Sequence, residues 1–154
     1  MSQIGDARWE CLYAEHRAAL YRAAAVLVGD AEAEEVVQDA FERAMKVTDF
    51  FDEVRHPPAW LRQVTVRLAI SRLRRRALSE RVLSFLAVRP RPSEPDPEIE
   101  WALQRLPATQ RGAVVLLYYF RADYAEIAAA LGLSEASVGK VLSRARAALR
   151  EDLS

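Results

Sequence analysis

Three features of this sequence predict an all-α protein of two small helical domains joined by a proline-rich linker. Alanine, leucine, arginine and glutamate dominate, and the 5 glycines are too few for the many turns of a strand-rich fold. Apolar residues recur at helical spacing through most of the chain. Finally, VRPRPSEPDP carries a proline at every second or third position, which forbids continuous helix and favours an extended tether. The expected domains are residues 1–78 and 98–154, with 79–97 as the linker. A chain of 154 residues has room for two such units or for one ordinary domain.

The first helix is expected over 7–28, with Trp9, Leu12, Tyr13, Leu20, Tyr21 and Ala24 as its apolar stripes. Gly29 ends it, and Asp30 is placed to cap the next. That second helix, over 31–47, puts Val36, Val37, Ala40, Phe41 and Ala44 inside. Its other faces carry Glu32, Glu34, Glu35, Gln38, Asp39 and Glu42. Residues 48–58 read as a loop, because Pro57 and Pro58 disfavour helix before Ala59. Phe50 and Phe51 within it are expected to pack in the core, and His56 carries no assignment. A third long helix starts at Ala59, with Trp60, Leu61, Val64, Leu68 and Leu73 on its apolar side.

Charge is segregated although the net charge is +0. Acidic residues crowd 30–53, whereas 55–91 is rich in arginine with Glu80 as its one carboxylate. Two surfaces with different partners are implied. Arg62, Arg67, Arg72, Arg74, Arg75 and Arg76 suit a phosphate backbone. Pairing with the acidic helix before them is the other reading, and the near absence of carboxylates within the segment favours nucleic acid.

The linker reaches at most ~63–68 Å when extended at ~3.3–3.6 Å per residue. Two DNA turns measure roughly 70 Å, so the tether plus two domain widths can bridge two sites on a duplex. Beyond it, helices over 98–106 and 108–120 form a platform anchored by Trp101, Leu103, Leu106, Val114, Val115, Leu117 and Tyr118. Pro107 suits the start of the second. Gln110 and Arg111 are candidates for the DNA backbone, with capping as the alternative.

The final stretch, YAEIAAALGLSEASVGKVLSRARAAL, is a hairpin of two helices. Ile127, Ala128 and Leu131 keep helical spacing until Gly132, where a left-handed C-cap belongs. Ser134 stands where an N-cap should be, with Glu135 at the positive end of the next helix dipole. Val138, Leu142, Ala145 and Leu149 mark the buried stripe. Ala136, Ser137, Lys140, Ser143, Arg144 and the edge of Val141 then face outward. Small and basic groups on an exposed helix suit a major groove: the backbone can approach, and Lys or Arg can reach phosphates and guanine edges. A hairpin that merely packs is the other reading of the same pattern.

The wording of LPATQR, YAEIAAALGLSEASV and SRARAALRE resembles region 4 of the extracytoplasmic-function sigma factors, the helix-turn-helix domain that reads the minus-thirty-five promoter element. Independently, VVQDAFERAM and AWLRQVTVRLAISRLRRR resemble sigma region 2. The resemblance implies that Glu35, Val36, Gln38, Asp39 and Phe41 contact the β′ clamp helices of core RNA polymerase. It implies that Trp60, Arg62, Arg67, Arg72, Arg74 and Arg75 serve the minus-ten element, and that Ser137, Lys140, Arg144 and Arg111 serve the minus-thirty-five element. The β flap, promoter DNA and an anti-sigma factor are the other partners it implies, and the family's linker threads the polymerase cleft towards the RNA exit path. This chain departs from the family phrase at Arg67 and Ser71, where asparagine and aspartate are common. Gly139 and Val141 stand where basic residues are usual. A DNA-binding regulator acting without polymerase, or a degenerate sigma-like interaction module, are the competing readings.

No enzyme and no cofactor are expected, since two isolated histidines and one cysteine make neither a catalytic nor a metal cluster. Cys11 is expected to be a buried thiol. No apolar run is long enough to insert in a membrane and no signal-peptide core is evident, so the cytoplasm is the expected location.

Overall fold

The computed structural model describes the backbone of residues 3–83 and 97–153. Eight helices and no strands make up the described residues. α1 (Gln3–Val28) and α2 (Asp30–Lys46) are separated by Gly29, whose φ of 91° lies in a region open to glycine. Ala33, Val36, Val37, Ala40, Phe41 and Ala44 form the buried stripe of α2 at the expected spacing. Asp30 does not cap this helix. Gly29 holds the cap position and Asp30 is the first helical residue, acting through its charge at the dipole with Glu32.

The expected loop after α2 contains a single helical turn, α3 (Phe50–Glu53), entered through Asp49 at a left-handed φ of 53°. Its effect is to seat aromatics. Phe50 is buried and lies 5.0 Å from Trp9 and 5.2 Å from Trp60, while Phe51 meets Trp9 at 4.7 Å. α4 spans Pro57–Leu83. It starts two residues before the expected Ala59, because prolines fit a first helical turn whose N–H groups have no intrahelical partner anyway. It also runs past Ser79, so the expected linker begins inside this helix. The proline-rich remainder, 84–96, lies outside the described residues.

α5 (Pro97–Arg105) and α6 (Ala108–Phe120) precede the hairpin of α7 (Tyr124–Leu131) and α8 (Glu135–Leu153). Asp123 caps α7 by accepting from Glu126 N at 2.8 Å. Gly132 closes it with φ 68° and ψ 35°, and Leu133 N donates to Ala128 O at 2.9 Å. Ser134 Oγ accepts from Ser137 N at 3.2 Å, as its N-cap position demands.

The two halves of the chain do not keep separate cores. One continuous apolar cluster runs from Leu12, Leu20, Leu27, Val36 and Leu61 to Val115, Leu116, Ile127, Val138 and Leu142. α6 packs on α1 and α4, and α7 packs on α4. Gly112 of α6 lies tight against α4 and α7: a Cβ there would stand 2.5 Å from Ile70 Cδ1 and 3.2 Å from Leu131 Cδ2. On α4 the buried positions include Thr65, Val66, Ala69 and Ile70, beyond the apolar side expected from the sequence.

Three side chains depart from their expected environment. Cys11 is exposed, because the buried stripe of α1 runs through Leu12, Leu20, Ala23, Ala24 and Leu27 and leaves position 11 off phase. Trp101 is exposed, with the Arg105 guanidinium 4.6 Å from its ring centroid. Tyr118 is also exposed, and its hydroxyl accepts from Arg146 Nε at 3.2 Å.

Candidate nucleic-acid interface

The two basic helices differ in local geometry. On α8, Val138, Leu142 and Ala145 are fully buried beneath the helix. Lys140, Ser143 and Arg144 therefore stand exposed on the opposite side, with Ser137 and Val141 half-buried at the edge. Neither Lys140 nor Arg144 is ion-paired among the described residues. Ser137 Oγ lies 2.8 Å from Ser134 Oγ, so the hydroxyl that would face DNA is held at the helix start. Gly139 is half-buried beside Tyr124, where an added Cβ would meet Cε2 at an ordinary 3.8 Å.

On α4 the arginines are already engaged. Arg62 Nε donates to Glu126 Oε1 on α7 at 3.0 Å, and its guanidinium stands 5.9 Å from the Phe120 ring centroid. Arg67 donates to the main-chain oxygens of Ala129 and of Ala130, the latter at 2.9 Å. Arg74 Nη2 donates to Thr109 Oγ1 on α6 at 3.1 Å. Arg72 turns instead to α2, meeting Asp39 at 2.8 Å, Glu35 at 3.3 Å and Glu32 at 3.9 Å. The bond to Glu35, and then that to Asp39, raises its pKa further above the ordinary arginine value against the opposing effect of burial. Arg76 pairs with Glu32 at 2.6 Å and donates to Val28 O at 3.1 Å. Arg75 is exposed and bonds back to Ser71 O at 3.4 Å within its own helix. Pairing with the acidic helix, the alternative that the sequence leaves open, thus applies to Arg72 and Arg76. Trp60 is half-buried against Phe50.

Arg111 lies inside the molecule, only 8% exposed, so a DNA-backbone contact is not open to it in this arrangement. Its guanidinium donates to Leu27 O at 3.0 Å, to Leu106 O at 3.0 Å and to Gln104 O. These oxygens belong to the C-terminal ends of α1 and α5, where unpaired carbonyls and the negative dipole end favour a cation. Sequence spacing gives no sign of this, since Leu27 is 84 residues away. A cleft of about 750 Å³ opens next to it, lined by Arg74, Arg76, Arg105, Gln104 and Thr109 among others.

The candidate polymerase surface divides in two. Glu35 and Gln38 are exposed and Asp39 is half-buried, so these three lie on the outer side of α2. Val36 and Phe41 are 0% and 5% exposed, and their methyl and ring groups fill the core. For them the expected contact is corrected: they hold α2 in place. Phe41 packs edge-on to Tyr13 at 5.0 Å. Among the described residues no helix is long and apolar enough to cross a membrane, and no group of His, Cys, Asp or Glu is placed to hold a metal ion.

Comparison with known proteins identifies the family. The family described as Sigma-70 region 2 matches residues 12–78, and Sigma-70, region 4 matches residues 98–149. The ECF RNA polymerase sigma factor SigL of Mycobacterium tuberculosis is 34% identical over 151 residues, covering 90% of this chain and 85% of that protein. RNA polymerase sigma-E factor of Streptomyces coelicolor is 33% identical over 141 residues, covering 88% and 80%. Among solved structures, the sigma factor RpoE from Bartonella quintana, in complex with the anti-sigma factor NepR, superposes with a TM-score of 0.78 at 25% identity, covering 95% of this chain and 96% of that one. CnrH, in complex with the cytosolic domain of CnrY, gives 0.68 at 30% identity, with coverages of 94% and 86%. The chain belongs to the extracytoplasmic-function group of sigma-70 RNA polymerase sigma factors.

Proposed function

We propose a division of labour among named residues for this sigma factor. The exposed side of α8 enters the major groove at the minus-thirty-five element, with Lys140 and Arg144 reaching phosphates or base edges and Ser137 contributing at the helix start. The α4 arginines, among them Arg75, exposed and bonded within its own helix, follow the backbone at the minus-ten element, and Trp60 lies at the start of that surface. Glu35, Gln38 and Asp39 contact the β′ clamp helices, while residues 98–153 reach the β flap. The observation that carries this reading is the unpaired basic side of α8, set on a hairpin whose turn is fixed by Gly132.

The units 1–78 and 98–154 act as two promoter-reading bodies, with α4 extending into the expected linker. RNA synthesis belongs to the polymerase, and this chain acts as an initiation factor in the cytoplasm. The anti-sigma factor NepR is bound to RpoE of Bartonella quintana, which supports an anti-sigma partner for this chain too.

The test is transcription from a promoter library by core polymerase, with and without the protein. Discrete new start sites sharing two upstream elements are the expected result. Binding to core polymerase without new starts would replace this reading with an inhibitory one, and failure of both would leave DNA binding alone.

A further inference from the structure

The cleft beside Arg111, about 750 Å³ in volume, is of the size that takes a small-molecule ligand. The end of α1, α4 and the junction of α5 with α6 all contribute to its walls. Arg74, Arg76, Arg105 and Arg111 line it, and among the described residues no carboxylate does. Two of these cations are partly balanced from outside the cleft, Arg76 by Glu32 at 2.6 Å and Arg105 by Asp152 at 3.5 Å. Arg74 is not. Its one bond among the described residues goes to the neutral Thr109 hydroxyl at 3.1 Å. Carbonyl oxygens at the ends of α1 and α5 would repel an anion, but arginines already engage them. Arg76 donates to Val28 O, and Arg111 to Leu27 O, Gln104 O and Leu106 O.

α6 adds to the same field. Pro107, Ala108 and Thr109 line the cleft, so the N-terminus of this 13-residue helix opens onto it. No side chain caps that end, its first turn holds no acidic residue, and Arg111 N makes the first backbone bond into the helix, to Pro107 O. The amides of Ala108, Thr109 and Gln110 are therefore left without helical partners at the positive end of the dipole. Leu27, Val28, Leu73 and Leu106 supply an apolar part of the lining.

From this geometry we propose that the cleft is a binding site for an oligophosphate, a chain of two or three phosphates either bare or carried by a nucleoside. Arg74 and Arg105 donate to its oxygens together with the amides that start α6, while Arg76 and Arg111 hold the surrounding potential positive. Several cations around one cleft suit an anion that carries several charges, and guanidinium groups match phosphate oxygens in paired N–H bonds. Arg74 exchanges a neutral hydroxyl for a charged oxygen, which strengthens its bond. An attached organic group would lie on the apolar lining.

The test titrates the full chain with sodium tripolyphosphate and with adenosine triphosphate, each in EDTA at fixed ionic strength, with sodium sulfate as the control anion. Thermal midpoint and calorimetric affinity are read. At about a hundred times its dissociation constant, either phosphate chain should raise the midpoint by about 5–10 °C, and sulfate should not. Tighter binding of adenosine triphosphate would identify a nucleotide as the source, and equal affinity the bare phosphate chain. Arg74 also belongs to the minus-ten assignment, so the variants are made at Arg105 and Thr109. Arg105→Gln should weaken binding about tenfold. Thr109→Asp sets a carboxylate beside Arg74 at the start of α6, so it should raise the midpoint of the free protein and abolish the response to ligand. The Arg105 side chain is 55% exposed, so its variant keeps the test decisive if Thr109→Asp does not fold. Lys140→Ala with Arg144→Ala should bind as the natural chain does. No shift beyond that of sulfate would overturn the proposal. So would loss of the shift in the α8 double variant while Arg105→Gln and Thr109→Asp retain it, since the anion would then sit on α8. No polymerase or promoter enters either readout, so the result stands apart from the sigma reading.

Discussion

α4 and α8 are both arginine-bearing helices over a buried apolar stripe, yet they present their charge in opposite ways. On α8 Lys140 and Arg144 are exposed and not ion-paired among the described residues, while Arg146 meets the Tyr118 hydroxyl on α6. On α4 most of the cations are committed, to carboxylates of α2, to carbonyls of α1 and α7, or to side chains of α6 and α7. By number of arginines alone, α4 would be the stronger DNA surface. The fold ranks α8 first for immediate encounter, because a guanidinium already bonded must give up those partners before it can meet phosphate.

The most damaging way to break this comparison is to remove the support of the open side. Leu142→Ala empties a fully buried position under α8 and should lower stability by ~2–5 kcal/mol, read as a large fall in thermal midpoint. Next in size is Lys140→Ala with Arg144→Ala. A cation that reads a base edge is worth about 1–3 kcal/mol of binding, and one that meets a phosphate accounts for about 0.9 of the duplex salt slope. The double variant should therefore bind promoter DNA more weakly and with a flatter salt dependence. Thermal stability should not move, and an unchanged slope would sink the assignment of α8.

Within α4 the contrast can be sharpened by comparing Arg72→Ala with Arg75→Ala. Arg72 holds Glu35 and Asp39, and its removal leaves clustered carboxylates without their cation. Since Glu35 is 66% and Asp39 38% exposed, about 1 kcal/mol of stability is expected to go. Arg75→Ala should leave the melting point in place and weaken promoter binding, so equal thermal effects would contradict the different roles given to the two. The smallest expected effect is at Gly139. Alanine there should raise stability by up to ~1 kcal/mol, since helix propensity improves and the new Cβ makes only ordinary contact with Tyr124. Tighter folding with weaker promoter binding would mean that the missing side chain serves close approach to DNA.

Local features are well written in the chain. The 3.6-residue period places Val36, Val37, Ala40, Phe41 and Ala44 inside α2, and Val138, Leu142 and Ala145 inside α8. Gly132 and Ser134 set the hairpin turn through backbone conformation and capping, both of which act within a few residues. Where apolar residues occur all around a helix, as on α1, the phase is not readable, and Cys11 is exposed against expectation for that reason. The polymerase motif illustrates a different limit. Resemblance supplies the segment, but only packing separates exposed Glu35 and Gln38 from buried Val36 and Phe41.

What the sequence by itself determined was the helical class, most helix ends, the turn and outer side of the hairpin, and the family. All of these follow from interactions between residues no more than about one or two helical turns apart, or from motifs contiguous in the chain. Only the tertiary structure decided which cations are available. Arg62 and Glu126 are 64 residues apart, Arg67 and Ala130 63, and Arg111 and Leu27 84. Whether a guanidinium meets solvent, a carboxylate or the end of another helix depends on how helices far apart in sequence dock, and no local period carries that information.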